Sequence, residues 1–535
     1  MSLISYQFLL FVAIGLLIYF VAPDRHKWKV LLAESLAYYL IICNKYILYM
    51  LVTIITTYVG TCQMDKTYSI MHDTVKANKG VWDREERKSY KKKMEKKAKM
   101  MMLATLIINF GILVVIKYSG FVVESLYALL ANLGLQVSAP DFGFLLPLGI
   151  SFYTFQTMGY VIDVYQEKIP AEKNLGKVAL FVSFFPQIIQ GPIAMYSDLA
   201  KQLYEPHRFD IERIKRALLL VIWGLFKKLV IADRAVNLIN YVTADSSKFE
   251  GTFVLLAALM YALQLYADFS GGIDIVRGIG EMYGITMAEN FKRPYFSKSL
   301  TEYWHRWHMT LGNWVRNYVF YPLSISKRFI NMGKWMNKHW NKHFAKIVPT
   351  SLASVITFLI IGVWHGANGK YIAFGLWNGL AIMIIELLNP VTQKVKGALH
   401  VKDESKIFQF VCIIWTFILV LVGYYFDIAR NFGDAMSMMA RSVTDFNFSD
   451  FAHLPKLLHK AGIDRYDFGA IIVAGIILLI VSLVQEKKGI EIREWIMERK
   501  TPLRWTIIYI CLLVVIVFGY YGTGANPADF VYMQF

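Results

Sequence analysis

Residues 347–369 read IVPTSLASVITFLIIGVWHGANG. From Ile347 to Val363 the stretch carries no ionisable side chain. Seventeen residues rising about 1.5 Å each would cross most of a bilayer's hydrocarbon. The run then ends on Trp364 and His365, followed by the small and polar Gly366, Ala367 and Asn368. A histidine at membrane depth costs free energy unless it is paired or sits on a water-accessible path. This stretch therefore predicts a membrane helix that delivers an imidazole to a working position.

A second histidine-bearing stretch lies upstream. Thr301–Leu323, TEYWHRWHMTLGNWVRNYVFYPL, holds two histidines, three tryptophans and two arginines. Ser299 and Glu302 have the spacing of a capping box, so a helix is expected from Glu302. On such a helix His305 and His308, three residues apart, share a face. His305 reads as an interfacial histidine, whereas His308 and His365 are the candidates for chemistry. A buried neutral imidazole can take the proton of a hydroxyl nucleophile as an acyl group moves.

Composition points the same way. The 535 residues are 56% hydrophobic and only 18% charged, and the apolar residues gather into long runs. These are Phe8–Val21, Leu31–Ile42, Tyr46–Val59, Met101–Ile116, Thr252–Leu265, Ile347–Val363, Ile372–Leu388, Phe408–Tyr425, Phe468–Val484 and Trp505–Tyr521. About ten spans with two or three ambiguous ones predict an all-α polytopic membrane protein, read as one domain over 1–535. The runs lack the period-two alternation of a transmembrane barrel. Met1–Val21 has no basic leading region and is expected to be a retained span.

The formal charge of +18 is concentrated in Arg25–Lys29, Lys66–Lys99, Lys201–Arg216 and Lys327–Lys346. The positive-inside tendency puts these blocks at the cytoplasmic face, with the N-terminus outside and Lys66–Lys99 as a long cytoplasmic loop. Anionic lipid headgroups account for such charge, and no nucleic-acid partner is expected. The four cysteines, Cys43, Cys62, Cys412 and Cys511, show no ligand spacing and read as small hydrophobes. No metal site is expected, although three imidazoles (His305, His308 and His365) would suit zinc if they converged.

The middle of the chain is apolar yet broken. Phe144–Tyr165 and Phe181–Ile193 contain Pro147, Gly149, Gly159, Pro186, Gly191 and Pro192. Lipid cannot satisfy the backbone groups that proline and glycine free, so the choice is a kinked helix pair or broken helices lining a cavity. Gln156 and Gln187 add polar groups there. Asp268, in YALQLYADFSGG, is either interfacial or an ionised group facing a polar interior, with Arg277 or the guanidinium groups of Thr301–Leu323 as partners. Asp268, Arg316 and Asn317 are expected near an internal passage, with Gln156 and Gln187 lining it. Asp268 and Arg316 could equally form a folding-only ion pair.

In order, LPLGISFYTFQTMGYVIDVY (Leu146–Tyr165), FFPQIIQGPI (Phe184–Ile193), GLFKKLVIADR (Gly224–Arg234), YALQLYADFSG (Tyr261–Gly271), ENFKRPY (Glu289–Tyr295), YWHRWHMTLGNWVRNYVFYPL (Tyr303–Leu323) and GVWHGAN (Gly362–Asn368) resemble the membrane-bound O-acyltransferase family. The terminal FVYMQF (Phe530–Phe535) looks like the family ending. The likeness is to the bacterial branch that acts in alginate O-acetylation and D-alanylation of teichoic acid, and is strongest over 146–388. It implies a helical core with broken or re-entrant helices around a funnel. His365 corresponds to the family's invariant histidine and His308 to its second, with Trp364 and Asn368 beside the first. Tyr303, His305 and Gly272-Ile273-Asp274 depart from the usual family residues, which puts the donor and acceptor pockets in doubt but leaves the histidines in place.

The resemblance further implies transfer of an acyl group from a cytoplasmic thioester to a hydroxyl. Acetyl-CoA is the expected co-substrate, with an acyl carrier protein thioester and D-alanyl transfer as the alternative, and no tightly bound cofactor. The acceptor would be an extracellular polysaccharide or cell-wall polymer, reached directly or through an extracytoplasmic acetyltransferase partner. A transporter of polymer or lipid-linked substrate is the reading from a different class, since it too needs polar groups at depth.

Overall fold

The computed structural model describes residues 3–133, 147–366 and 368–521. Leu146 and the terminal FVYMQF lie outside these residues, as does Ala367. Helices and turns, with no strand, make up the described residues, and eight helices among them are long and apolar enough to cross a membrane. Each of the ten apolar runs falls wholly or mainly on a helix, because an apolar helix satisfies its own backbone and is therefore stable in lipid. The chain is a multi-pass, all-α membrane protein.

By packing, the residues fall into two compact units, Met1–Ile214 with Ile279–Ala288, and Lys215–Gly278 with Glu289–Phe535. In the first unit, helices Tyr6–Val21, Lys27–Cys43, Ile47–Ala77 and Arg84–Asn132 precede the broken region. The basic block Lys66–Lys99 is helical on both sides of a short turn, where a loop was expected. Its lysines and glutamates are good helix formers, and Asp83 and Glu86 exchange side chain-to-amide hydrogen bonds at 2.7 and 3.0 Å to start the second helix.

The broken region resolves into helices Ile150–Tyr165, Leu175–Ser183 and Phe185–Gln190. Gly149 enters the first with φ of 69°, and a Cβ there would lie 2.4 Å from the Ile188 carbonyl oxygen. Phe184 separates the other two, and Pro186 occupies the first turn of the short one, where its missing N–H costs nothing. Gln156 and Gln187 are buried and bonded to each other, while their amides also donate to the carbonyls of Phe181 (2.7 Å) and Pro192 (2.8 Å). They thus satisfy the backbone that the breaks expose.

The second unit holds Gly251–Tyr283 (to Gly278), Lys342–His365, Gly369–Ala398, Lys406–Ile428, Arg465–Lys488 and Thr501–Phe518, with short helices between. Helices Lys342–His365 and Gly369–Ala398 form a hairpin zipped by glycines. A Cβ on Gly362 would lie 2.3 Å from the Tyr371 carbonyl oxygen, on Gly375 2.5 Å from that of Phe358, and on Gly379 2.7 Å from the Val355 Cα. Small residues let two membrane helices approach to backbone contact. His365 is the last residue of the first arm, so this hairpin fixes where its ring stands.

Candidate active site

The helix that opens at Ser299 does not carry both histidines. Ser299 caps it by accepting the Glu302 amide at 3.1 Å, but the helix stops at Arg306. Trp307 is extended, His308 adopts a left-handed backbone (φ 45°, ψ 52°), and a new helix runs from Met309 to Val315. The expected shared face of His305 and His308 is therefore corrected. The break forms because the segment Asn290–Lys292 docks against it: the Lys292 amide donates to the Arg306 carbonyl and the Met309 amide to the Asn290 carbonyl, both at 2.9 Å. Those two bonds satisfy backbone groups that an interrupted helix leaves open. A non-glycine residue at positive φ persists only where its surroundings hold it, and such positions cluster at functional sites.

His308 is 4% exposed. Its Nδ1 lies 3.1 Å from the Asn290 side-chain oxygen, and Phe269 presents its ring edge-on at 4.9 Å. His308 lies outside the membrane-spanning helices, and burial together with the neighbouring His365 holds its pKa well below the usual imidazole value. His365 is half-buried against the rings of Trp364, Phe374 and Tyr371, with centroids at 5.0, 5.6 and 6.2 Å. Gly366 leaves room for this stack, since a Cβ there would meet the Tyr371 ring at 2.6 Å.

His308 and His365 line one cavity of about 430 Å³, and Arg316, Asp427 and Tyr424 share its wall. Two imidazoles on one cavity can hold a hydroxyl and move its proton while a carbonyl is attacked. Exposed His305 also lines this cavity, but among the described residues no three His, Cys, Asp or Glu side chains group as a metal site. The four cysteines are free thiols.

The other expected residues divide. Arg316 is on the wall and donates to the Asn313 side-chain oxygen at 2.7 Å. Asn317 sits in the π-helical turn Arg316–Phe320, outside the lining residues, and Trp364 is buried behind His365. Asn368 caps Gly369–Ala398 by accepting the Lys370 amide at 3.1 Å. Gln156 and Gln187 belong to the first unit.

Asp268 is fully buried and not interfacial, and it pairs with a lysine that the sequence reading had not named. Lys228 reaches it at 2.6 Å and Asp233 at 2.8 Å. The π-helical segment Phe226–Ala232 turns consecutive Lys227 and Lys228 both inward. Gly224 and Gly271 allow that segment to close on helix Gly251–Tyr283, a Cβ at Gly224 falling 2.5 Å from the Gly271 carbonyl oxygen. Short aspartates then reach both lysines, and Lys227 pairs with Asp274 at 2.7 Å.

Two neighbours of the histidines were not anticipated: Asn290, bonded to His308, and Asp427, on the cavity wall. Asn290 sits in ENFKRPY, where nothing local in the sequence marks its side chain as a partner of His308. Asp427 closes the apolar run Phe408–Tyr425 much as Asp268 follows its own run, and the same signal would have found it.

The sequence profile of the membrane-bound O-acyltransferase family matches residues 171–427. Over 381 residues, 71% of this chain and 69% of the other, the chain is 31% identical to the probable alginate O-acetylase AlgI of Azotobacter vinelandii. It is 28% identical to the peptidoglycan O-acetyltransferase of Helicobacter pylori, over 67% of each chain. It is 27% identical to the teichoic acid D-alanyltransferase of Bacillus subtilis, over 53% of this chain and 69% of the other. The chain belongs to the membrane-bound O-acyltransferase family, and that membership supports acyl transfer as its general activity.

Proposed function

We propose that this chain, acting over its whole length of 1–535, is an O-acetyltransferase that moves an acetyl group from a cytoplasmic thioester toward an extracellular polysaccharide or cell-wall polymer. The observation that carries the proposal is that His308, at a helix break, and His365, 57 positions further on at a helix end, line one cavity. Acetyl-CoA is the proposed donor, because the similarity to alginate O-acetylases is greater and longer than that to D-alanyl transferases. The acceptor is either the polymer or an extracytoplasmic partner that passes the acetyl group on.

His365 takes the hydroxyl proton as the oxygen forms a bond to the thioester carbonyl carbon. The tetrahedral intermediate collapses, the carbon–sulfur bond breaks, and the imidazolium returns its proton to the leaving thiolate. His308 orients the substrate, with Arg316, Asp427 and Tyr424 on the same wall. Asp268 supports this site by holding the helix Gly251–Tyr283 that carries Phe269 against His308.

Purified, folded His365→Ala protein is expected to lose about 10²–10⁴-fold in transfer rate, and unchanged turnover overturns the assignment. Similarity to D-alanyl transferases favours a second reading, D-alanyl transfer from a carrier-protein thioester. Mass spectrometry of the modified acceptor separates the two. D-alanine transfer with none from acetyl-CoA selects the second.

A further inference from the structure

The Asn290 side chain is 1% exposed, and its oxygen takes three close contacts: the Thr310 amide at 3.1 Å, the Thr310 hydroxyl at 2.9 Å and His308 Nδ1 at 3.1 Å. A backbone N–H can only donate, so the atom it meets is the amide oxygen and the orientation of the Asn290 side chain is fixed. That oxygen can only accept. His308 Nδ1 must therefore carry the hydrogen, and the neutral ring has its lone pair on Nε2. The left-handed backbone of His308 and the docked Asn290–Lys292 segment hold ring and acceptor in register.

We propose that Asn290 is a positioning residue that locks His308 in its Nδ1–H tautomer, so that Nε2 offers the cavity an acceptor and not a donor. The consequence is specific. Neutral His308 receives a hydrogen bond from a substrate O–H, as one hydroxyl of a polyhydroxylated acceptor would supply. It does not donate to the oxyanion that forms on the thioester carbonyl. Burial favours the neutral ring throughout. The assignment of a catalytic task to this tautomer rests on the acyl-transfer reading above, whereas the tautomer itself does not.

Among the described residues Asn290 Nδ2 has no hydrogen-bond partner, so replacing that nitrogen with oxygen leaves every contact of Asn290 Oδ1 available. Asn290→Asp keeps the acceptor; Asn290→Leu removes it at similar volume. Full-length protein labelled with ¹⁵N-histidine, in bilayers, is read by solid-state NMR at neutral pH, with the His308 signals identified by their loss in His308→Gln. The expected result is a protonated Nδ1 and a bare Nε2 in wild type, retained in Asn290→Asp and lost in Asn290→Leu. A protonated Nε2 in wild type, or an unchanged Nδ1–H population in Asn290→Leu, overturns the proposal. Where Asn290→Leu yields no folded protein, the wild-type spectrum alone decides.

Turnover adds a second readout. Asn290→Leu is expected to lose about 10²-fold in kcat with little change in KM, and Asn290→Asp to recover part of it. The expected tautomer in a protein that transfers no acyl group from any thioester sinks the acyl-transfer reading and leaves the role of Asn290 standing.

Discussion

Lys228 and Asp268, both fully buried, form an ion pair at 2.6 Å, and the same ammonium holds Asp233 at 2.8 Å. Two fully buried carboxylates share one cation. Removing that cation leaves the aspartates buried together. Lys228→Met is accordingly expected to destabilise the protein by about 3–5 kcal/mol, the range for a broken buried pair. Thermal unfolding in detergent measures it, and Asp268→Asn tests the other partner. Loss of folded yield with activity per folded molecule intact would make the triad a folding element; selective loss of activity would tie it to the site.

The glycine zipper gives a second expectation. In Gly362→Ala the new Cβ meets the Tyr371 carbonyl oxygen, an atom that cannot swing aside. The hairpin must open by a fraction of an ångström, at about 1–3 kcal/mol. Because His365 lies three residues further along the same helix, turnover should fall as well. Matched melting and activity curves for Gly362→Ala and the unpacked Gly397→Ala separate packing from glycine loss as such, since a Cβ on Gly397 meets nothing.

Acid sensitivity follows from His308. Its folded pKa is depressed, while in an unfolded chain it is about 6.5. Above that value both states are neutral and the residue contributes no pH slope. As pH falls below about 6.5 the unfolded state binds a proton that the folded state refuses, so stability drops toward the folded pKa. His308→Gln removes this term. The melting-temperature difference between variant and wild type should shift in the variant's favour between pH 7 and pH 5; a constant difference refutes the depressed pKa.

Asp427 supplies the last expectation. It is on the cavity wall, and among the described residues its Oδ1 has no hydrogen-bond partner. No hydrogen bond is tied to that oxygen, so Asp427→Asn should melt close to wild type. If the cavity holds a polyol, KM for the acceptor should rise about tenfold, the equivalent of one charge-assisted hydrogen bond. Unaltered kinetics would remove Asp427 from the binding surface.

The membrane architecture was legible because lipid imposes a simple rule on sequence: long apolar runs become helices, and all ten did, wholly or mainly. The placement of His365 at a helix end was legible for the same reason, since it terminates such a run. The break at Trp307–His308 was not. It depends on Asn290, 18 residues upstream, supplying hydrogen bonds that outcompete one more helical turn, and local propensity contains no trace of that competition. The partner of Asp268 was hidden for a similar reason. Only the π-helical segment puts Lys227 and Lys228 on the same inner side, whereas an α-helical reading would send neighbours about 100° apart. The glutamines were visible as polar groups at depth, but their mutual hydrogen bonding depends on where the broken helices meet.

The interruption at His308 has a bearing on how competence arises. One imidazole is aimed by a docking event spanning 18 residues, from Asn290 to His308, and the other is carried at the tip of the Lys342–Ala398 hairpin. Each can assemble from its own stretch of chain, yet neither encloses a reaction space. Helical content is then a poor gauge of working enzyme: a preparation can be fully helical and inserted while its two imidazoles have not yet met. On the proposed acyl-transfer reading, turnover counts only molecules in which both halves have closed.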